Sequence, residues 1–182
     1  MGKRSDFARR ERDFYPTPPE AVDPLLPHLK LNTHFIEPCA GDGALIDALV
    51  AAGHTCVHAA DIEPQRSDIQ VAPWQATPVI AGAVIVTNPP WRRDILHPMI
   101  CELSRRARLW LLFDADWSHT RQASEYLSIC SKIVSVGRVR WFGDMTGKDN
   151  AAWHCFDRQH DGPVQFYGRQ NKSGQLSLTA LL

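Results

Sequence analysis

The run Ala83-Val84-Ile85-Val86-Thr87, closed by Asn88-Pro89-Pro90-Trp91, constrains this chain more than any other stretch. Its apolar and β-branched residues predict a buried strand. Two consecutive prolines end it, since each locks φ and removes an N–H donor. Downstream, Ile95, Met99, Ile100 and Leu103 have the spacing of a core-facing helix over residues 92–105. The tetrapeptide is therefore a stiff loop between strand and helix, at the carboxyl end of the strand, where open α/β sheets hold their ligands. It offers carbonyl oxygens, the Asn88 amide and the Trp91 indole. Carbonyls accept hydrogen bonds from an amino group, and an indole gives a flat ring something to stack on. By itself the stretch reads either as a pocket for a planar molecule with an exocyclic NH₂ or as a proline-rich turn.

The same alternation recurs upstream. His34-Phe35-Ile36-Glu37 predicts a strand that runs through Pro38-Cys39-Ala40-Gly41-Asp42-Gly43 into an apolar helix, Ala44 to Ala52. Strand, glycine turn and helix open a nucleotide-binding βαβ unit, and Gly41 and Gly43 permit close backbone approach to a ligand. Thr55 to Ala60 predicts the second strand. Asp61 ends it, twenty residues after Gly41. A carboxylate at that spacing accepts from both ribose hydroxyls of a nucleoside; alone, it is a turn residue. Ile69-Gln70-Val71 predicts a short third strand. Trp74 and Gln75 after it either flank an adenine ring or, for Trp74, belong to the core. Before all of this, Thr17 is a candidate cap for a helix through Ala21, Val22, Leu25, Leu26 and Leu29, which Pro24 and Pro27 shorten or bend.

Leu109 to Phe113 is continuously apolar, as a strand covered on both faces must be. Ser118 to Cys130 predicts a helix. His119 has no partner at a telling spacing and reads as a surface or cleft residue, not a catalytic base. Residues 133–142 and 151–156 predict an antiparallel hairpin at a sheet edge, with a glycine- and charge-rich loop between them. Arg138, Arg140 and Lys148, interleaved with Trp141, are candidates for phosphate and base contact; the alternative is a solvated edge whose charges deter aggregation. A short strand over 164–167 follows. The fold class expected is α/β: a Rossmann-like, seven-stranded, doubly wound sheet, mostly parallel, with an antiparallel C-terminal hairpin.

A chain of 182 residues suffices for one domain, expected over residues 14–170, with a charged arm at 1–13 and a tail at 171–182. The five cysteines form no C-x-x-C pair, which predicts reduced thiols in a cytoplasmic protein and no metal site. No apolar run approaches the roughly 20 residues of a membrane span, and the charged N-terminus does not read as a secretory signal. Net charge is zero, so any nucleic acid must be held by local basic clusters.

Three motifs carry a resemblance. Phe14-Tyr15-Pro16-Thr17-Pro18, Glu37-Pro38-Cys39-Ala40-Gly41-Asp42-Gly43 and Asn88-Pro89-Pro90-Trp91 resemble, in order, the segment over the cofactor's methionine end, the D-P-x-C-G-x-G loop and the D/N-P-P-Y/F/W motif of class I S-adenosylmethionine-dependent methyltransferases of the N6-adenine branch, in their small phage and bacterial form. The resemblance spans residues 14–91. It implies that Tyr15, Pro16, Thr17 and Pro18 line the methionine side of S-adenosyl-L-methionine. Glu37, Pro38, Cys39, Gly41 and Gly43 would form the loop beneath it, with Glu37 facing its amino group or the loop around it. Asp61 would hold the ribose and Ile62 pack on the adenine. Asn88 and the Pro89 carbonyl would accept from the target amino group, with Pro90 shaping the loop and Trp91 stacking on the base. Glu37 stands where Asp is commoner, and Ala40 where Gly is frequent. The acidic residue that usually meets the cofactor's adenine amino group is not evident, and there is no separate domain for reading DNA sequence. The substrate implied is DNA adenine; RNA adenine and a protein glutamine amide share the chemistry, and a catalytically silent scaffold is the reading from another class.

Overall fold

The computed structural model describes residues 15–141 and 150–169. Among these, eight strands form one sheet: β1 (His34–Glu37), β2 (Thr55–Asp61), β3 (Gln70–Val71), β4 (Val84–Thr87), β5 (Leu109–Asp114), β6 (Cys130–Arg138), β7 (Asn150–Phe156) and β8 (Gln165–Tyr167). Their order is β3-β2-β1-β4-β5-β7-β6-β8. The first five are parallel throughout. Helix α2 (Ala44–Ala51) links β1 to β2, and α3 (Arg93–Leu103) links β4 to β5. Strand order reverses between β1 and β4, which is the point where such sheets bind ligands.

Alternation along the strands divides the core. On β5, Trp110 and Leu112 point to one face; Leu109, Leu111 and Phe113 point to the other. The first face is covered by α1 (Pro19–Val22) and by α2, through Ala21, Leu45, Ile46 and Leu49. The second is covered by α3, through Leu96, Met99, Ile100 and Leu103. The fold is therefore the expected doubly wound α/β sheet with antiparallel pairing near the C-terminus.

Three details differ from expectation. The hairpin of β6 and β7 is not at an edge: β7 inserts between β5 and β6, and β8 adds an eighth strand, parallel to β6. Burial explains the insertion, since six of the seven β7 residues are buried, Trp153 and Phe156 completely. The helix expected over 118–130 is instead two 3₁₀ turns (Ala115–His119 and Arg121–Ala123) and the single turn α4 (Ser124–Leu127). The hydroxyls of Ser118, Thr120, Ser124 and Ser128 each donate to the carbonyl three residues back, a local alternative to helical bonding. Thr17 does not cap α1; Pro18 occupies that position without a side-chain cap, and past α1 the chain forms only a 3₁₀ turn, Leu26–His28. The arm at 1–13, residue 14, Lys148 and the tail lie outside the described residues.

Candidate active site

The carboxyl ends of β1 and β4 are neighbours across the point of strand reversal, so their loops face each other. A cavity of about 680 Å³ opens there, within the usual range for small-molecule sites. Tyr15, Pro16 and Thr17 form one wall, the Glu37–Asp42 loop the floor, and Asn88 and Pro90 another wall. Asp61, Ile62, Pro73, Trp74 and Gln75 line the remainder.

The floor is tied together by Asp61. Its Oδ2 accepts from the Gly41 N–H at 2.9 Å and its Oδ1 from the Glu63 N–H at 2.8 Å. Each oxygen keeps acceptor capacity for a hydroxyl. Gly41 is left-handed (φ +52°), a conformation that costs an L side chain. Gly43 is different: it does not line the cavity. It precedes α2 with φ +81°, and a Cβ there would run into the Arg66 guanidinium. Arg66 in turn bonds Asp47 at 2.7 Å and Asp68 at 2.6 Å. Gly43 thus serves the helix start and this clamp.

Glu37 is 2 % exposed, and its Oε2 has no hydrogen-bond partner among the described residues. Burial, then the charges of Asp61 and Asp42, hold its carboxyl well above the usual range. Burial first, with Asp61 and Glu37, also raises the Cys39 thiol, so it stays protonated and is no nucleophile at neutral pH.

Asn88 joins the walls. Its Nδ2 donates to the Tyr15 carbonyl at 3.2 Å and to Thr17 Oγ1 at 3.1 Å, while Oδ1 accepts from Trp91 Nε1 at 3.2 Å. Trp91 is half-buried and packs edge-to-face with Trp141, centroids 5.8 Å apart; Trp141 meets Tyr15 in the same way at 6.1 Å. Neither Trp91, the buried Pro89 nor Pro18 lines the cavity. Arg138 and Arg140 are exposed beside Trp141 in sequence, also outside the cavity. His119 is exposed at the end of a 3₁₀ turn.

Sequence reasoning left Trp74 and Gln75 open; the structure places both in the cavity wall. It missed Leu45 and Ile95, which also line the cavity. Their helical spacing marked them as core, and nothing local distinguishes a core residue from one at the mouth.

The fold is that of Rossmann-like methyltransferases. No family model matches this sequence, and no curated protein sequence does. Solved structures do. A protein described as an RNA methyltransferase from Pyrococcus horikoshii superposes with TM-score 0.62 at 11% identity, over 85% of this chain and 92% of that one. One described as a class I S-adenosylmethionine-dependent methyltransferase from Listeria monocytogenes gives 0.57 at 13%, over 97% and 71%. A dimethyladenosine transferase from Plasmodium falciparum gives 0.53 at 15%, over 79% and 62%.

Proposed function

We propose that this protein is an enzyme that transfers a methyl group from S-adenosyl-L-methionine to the exocyclic N6 amino group of adenine in DNA. One observation carries the reading: an Asn-Pro-Pro-Trp loop at the end of β4, with the Asn88 side-chain amide at the wall of a nucleoside-sized cavity. The cavity suits the cofactor chemically. Asp61 retains acceptor capacity for ribose hydroxyls, and the unpaired Glu37 Oε2 suits a cationic amino group. Ile62 and Trp74 give an adenine apolar cover. Bound S-adenosyl-L-methionine supplies an electrophilic methyl group on sulfur.

The residues of the chain do the rest. An adenine amino nitrogen is a poor nucleophile because its lone pair is delocalised into the ring. Asn88 Oδ1 and the Pro89 carbonyl accept its two hydrogens, which favours a pyramidal nitrogen and stabilises the positive charge that develops as the N–C bond forms and the methyl–sulfur bond breaks, its electron pair staying on sulfur as a neutral thioether. A proton then leaves to water. Positioning supplies much of the rate. In a duplex the target must leave the stack, and the Trp91 ring replaces the lost stacking. Arg138 and Arg140 contact the backbone, with Trp141 beside them in sequence. No helix among the described residues is long and apolar enough to cross a membrane, and the free cysteines fit a reducing, cytoplasmic setting.

A second reading keeps the chemistry and takes RNA adenine as substrate. It is favoured by the likeness to proteins described as an RNA methyltransferase and a dimethyladenosine transferase. The test is nucleoside mass spectrometry after incubation with S-adenosyl-L-methionine and, separately, unmethylated DNA and bulk RNA. N6-methyladenine in DNA alone, lost in Asn88→Ala, supports the main reading. Product in RNA alone moves the assignment to the second. No product on either, with cofactor bound, sinks both and leaves a protein amide or a silent scaffold.

A further inference from the structure

An asparagine amide presents either its oxygen or its NH₂ to a given direction, and only the oxygen helps an amino-group substrate. In this site the neighbours dictate the choice. The Tyr15 carbonyl can only accept, and it faces Nδ2 at 3.2 Å. The Trp91 indole N–H can only donate, and it faces Oδ1 at 3.2 Å. Thr17 Oγ1, on a residue 5 % exposed, takes the second Nδ2 proton at 3.1 Å. Donor and acceptor thus agree on one orientation from opposite sides of the amide.

We propose that Trp91 and Thr17 are positioning residues: the indole N–H and the threonine hydroxyl hold Asn88 in the one amide orientation that aims its carbonyl oxygen at a target NH₂. This rests on the function proposed above and assigns Trp91 a task separate from stacking. An indole is special here. Phe and Tyr offer a ring face for a base but no N–H at this place. Oδ1 has two lone pairs, so the bond from Trp91 leaves one for the substrate. The bond also withdraws the option of rotating the amide, whose flip would point two donors at an amino group. Because Thr17 and Tyr15 also line the cavity, the orientation of Asn88 depends on the segment that would cover the cofactor.

The test compares wild type, Trp91→Phe, Trp91→Ala and Thr17→Val. The Asn88 side-chain ¹⁵N–¹H₂ resonance is followed by NMR, identified by its loss in Asn88→Ala. Steady-state methylation of an adenine oligonucleotide at saturating S-adenosyl-L-methionine is measured alongside, and circular dichroism checks the fold. Trp91→Phe and Thr17→Val are expected to move the Asn88 resonance and to lower kcat about tenfold, as loss of one orienting hydrogen bond allows, with KM for the oligonucleotide within twofold. Trp91→Ala is expected to raise KM as well. An unmoved Asn88 resonance in Trp91→Phe overturns the proposal even if activity falls, and so does an unchanged kcat. A wild-type protein that methylates no nucleic acid overturns the proposed function instead, while the NMR comparison still reports whether Trp91 and Thr17 orient the amide.

Discussion

Glu37 is a carboxyl group in the cavity floor, 2 % exposed, where burial and two neighbouring carboxylates oppose its ionisation. Its folded pKa lies above its unfolded one. The associated stability is therefore complete below the ordinary carboxylate range and declines as pH rises toward the shifted value. Glu37→Gln removes that decline: its thermal midpoint should exceed wild type at pH 8 and approach it at pH 4, by scanning calorimetry. The same change should weaken S-adenosyl-L-methionine about tenfold or more in isothermal titration, because it removes a carboxyl that can ionise against the cofactor's ammonium group. His154 has the opposite linkage. It is fully buried, stacked on Phe113 at 4.0 Å. Nδ1 lies 3.2 Å from the Ala152 carbonyl, which can only accept, so Nε2 is an acceptor with no donor among the described residues. Burial pushes its pKa down to about 3. Between about pH 6.5 and that value the unfolded chain takes up a proton that the folded protein refuses, so stability falls with pH by on the order of 1.4 kcal/mol per unit. His154→Phe should show a smaller drop in urea midpoint between pH 7 and pH 4 than wild type. His28, His54 and His97, also lowered mainly by burial, keep the rest of the slope in both proteins.

Among the elements, α1 is a single turn that cannot persist alone. Trp153 on β7 holds it, donating its indole N–H to the Ala21 carbonyl at 2.7 Å across 132 residues. Trp153→Phe leaves that buried carbonyl unpaired, a cost of about 1–3 kcal/mol. Because α1 follows directly on Tyr15–Pro18, the variant should lose cofactor affinity together with denaturation midpoint, although Trp153 does not line the cavity. Helix α2 has the corresponding dependence at Gly43. Gly43→Ala places a side chain at φ +81° against Arg66 and should cost about 1–3 kcal/mol by urea unfolding. These elements differ in how legible they were. His34–Glu37, Val84–Thr87 and Leu109–Asp114 were readable because fully buried parallel strands are continuous apolar runs bounded by turn residues. The segment from 118 to 130 was not, because its apolar spacing suits a helix while its serine and threonine hydroxyls bind their own backbone.

For the molecule as a whole, zero net charge means that the nucleic acid proposed as substrate would have to be attracted locally. Arg138→Ala with Arg140→Ala should weaken oligonucleotide binding and reduce the slope of log affinity against log salt by about 1 to 2, as expected when one or two phosphate contacts are lost. The salt titration distinguishes this from a loss of folding, which would abolish binding at every salt concentration. Taken alone, the sequence determined the doubly wound class and the turns that end its first and fourth strands, because periodicity, proline and glycine act over a few residues. Only the tertiary structure decided that β7 inserts between β5 and β6, since strand order depends on which apolar face is buried by partners distant in sequence. It also decided that Gly43 answers to Arg66, that Trp74 lines the cavity, and that the Asn88 amide bonds residues 71 and 73 positions earlier in the chain. Such hydrogen bonds leave no trace in local sequence, because a donor and an acceptor far apart in the chain meet only once the sheet has formed.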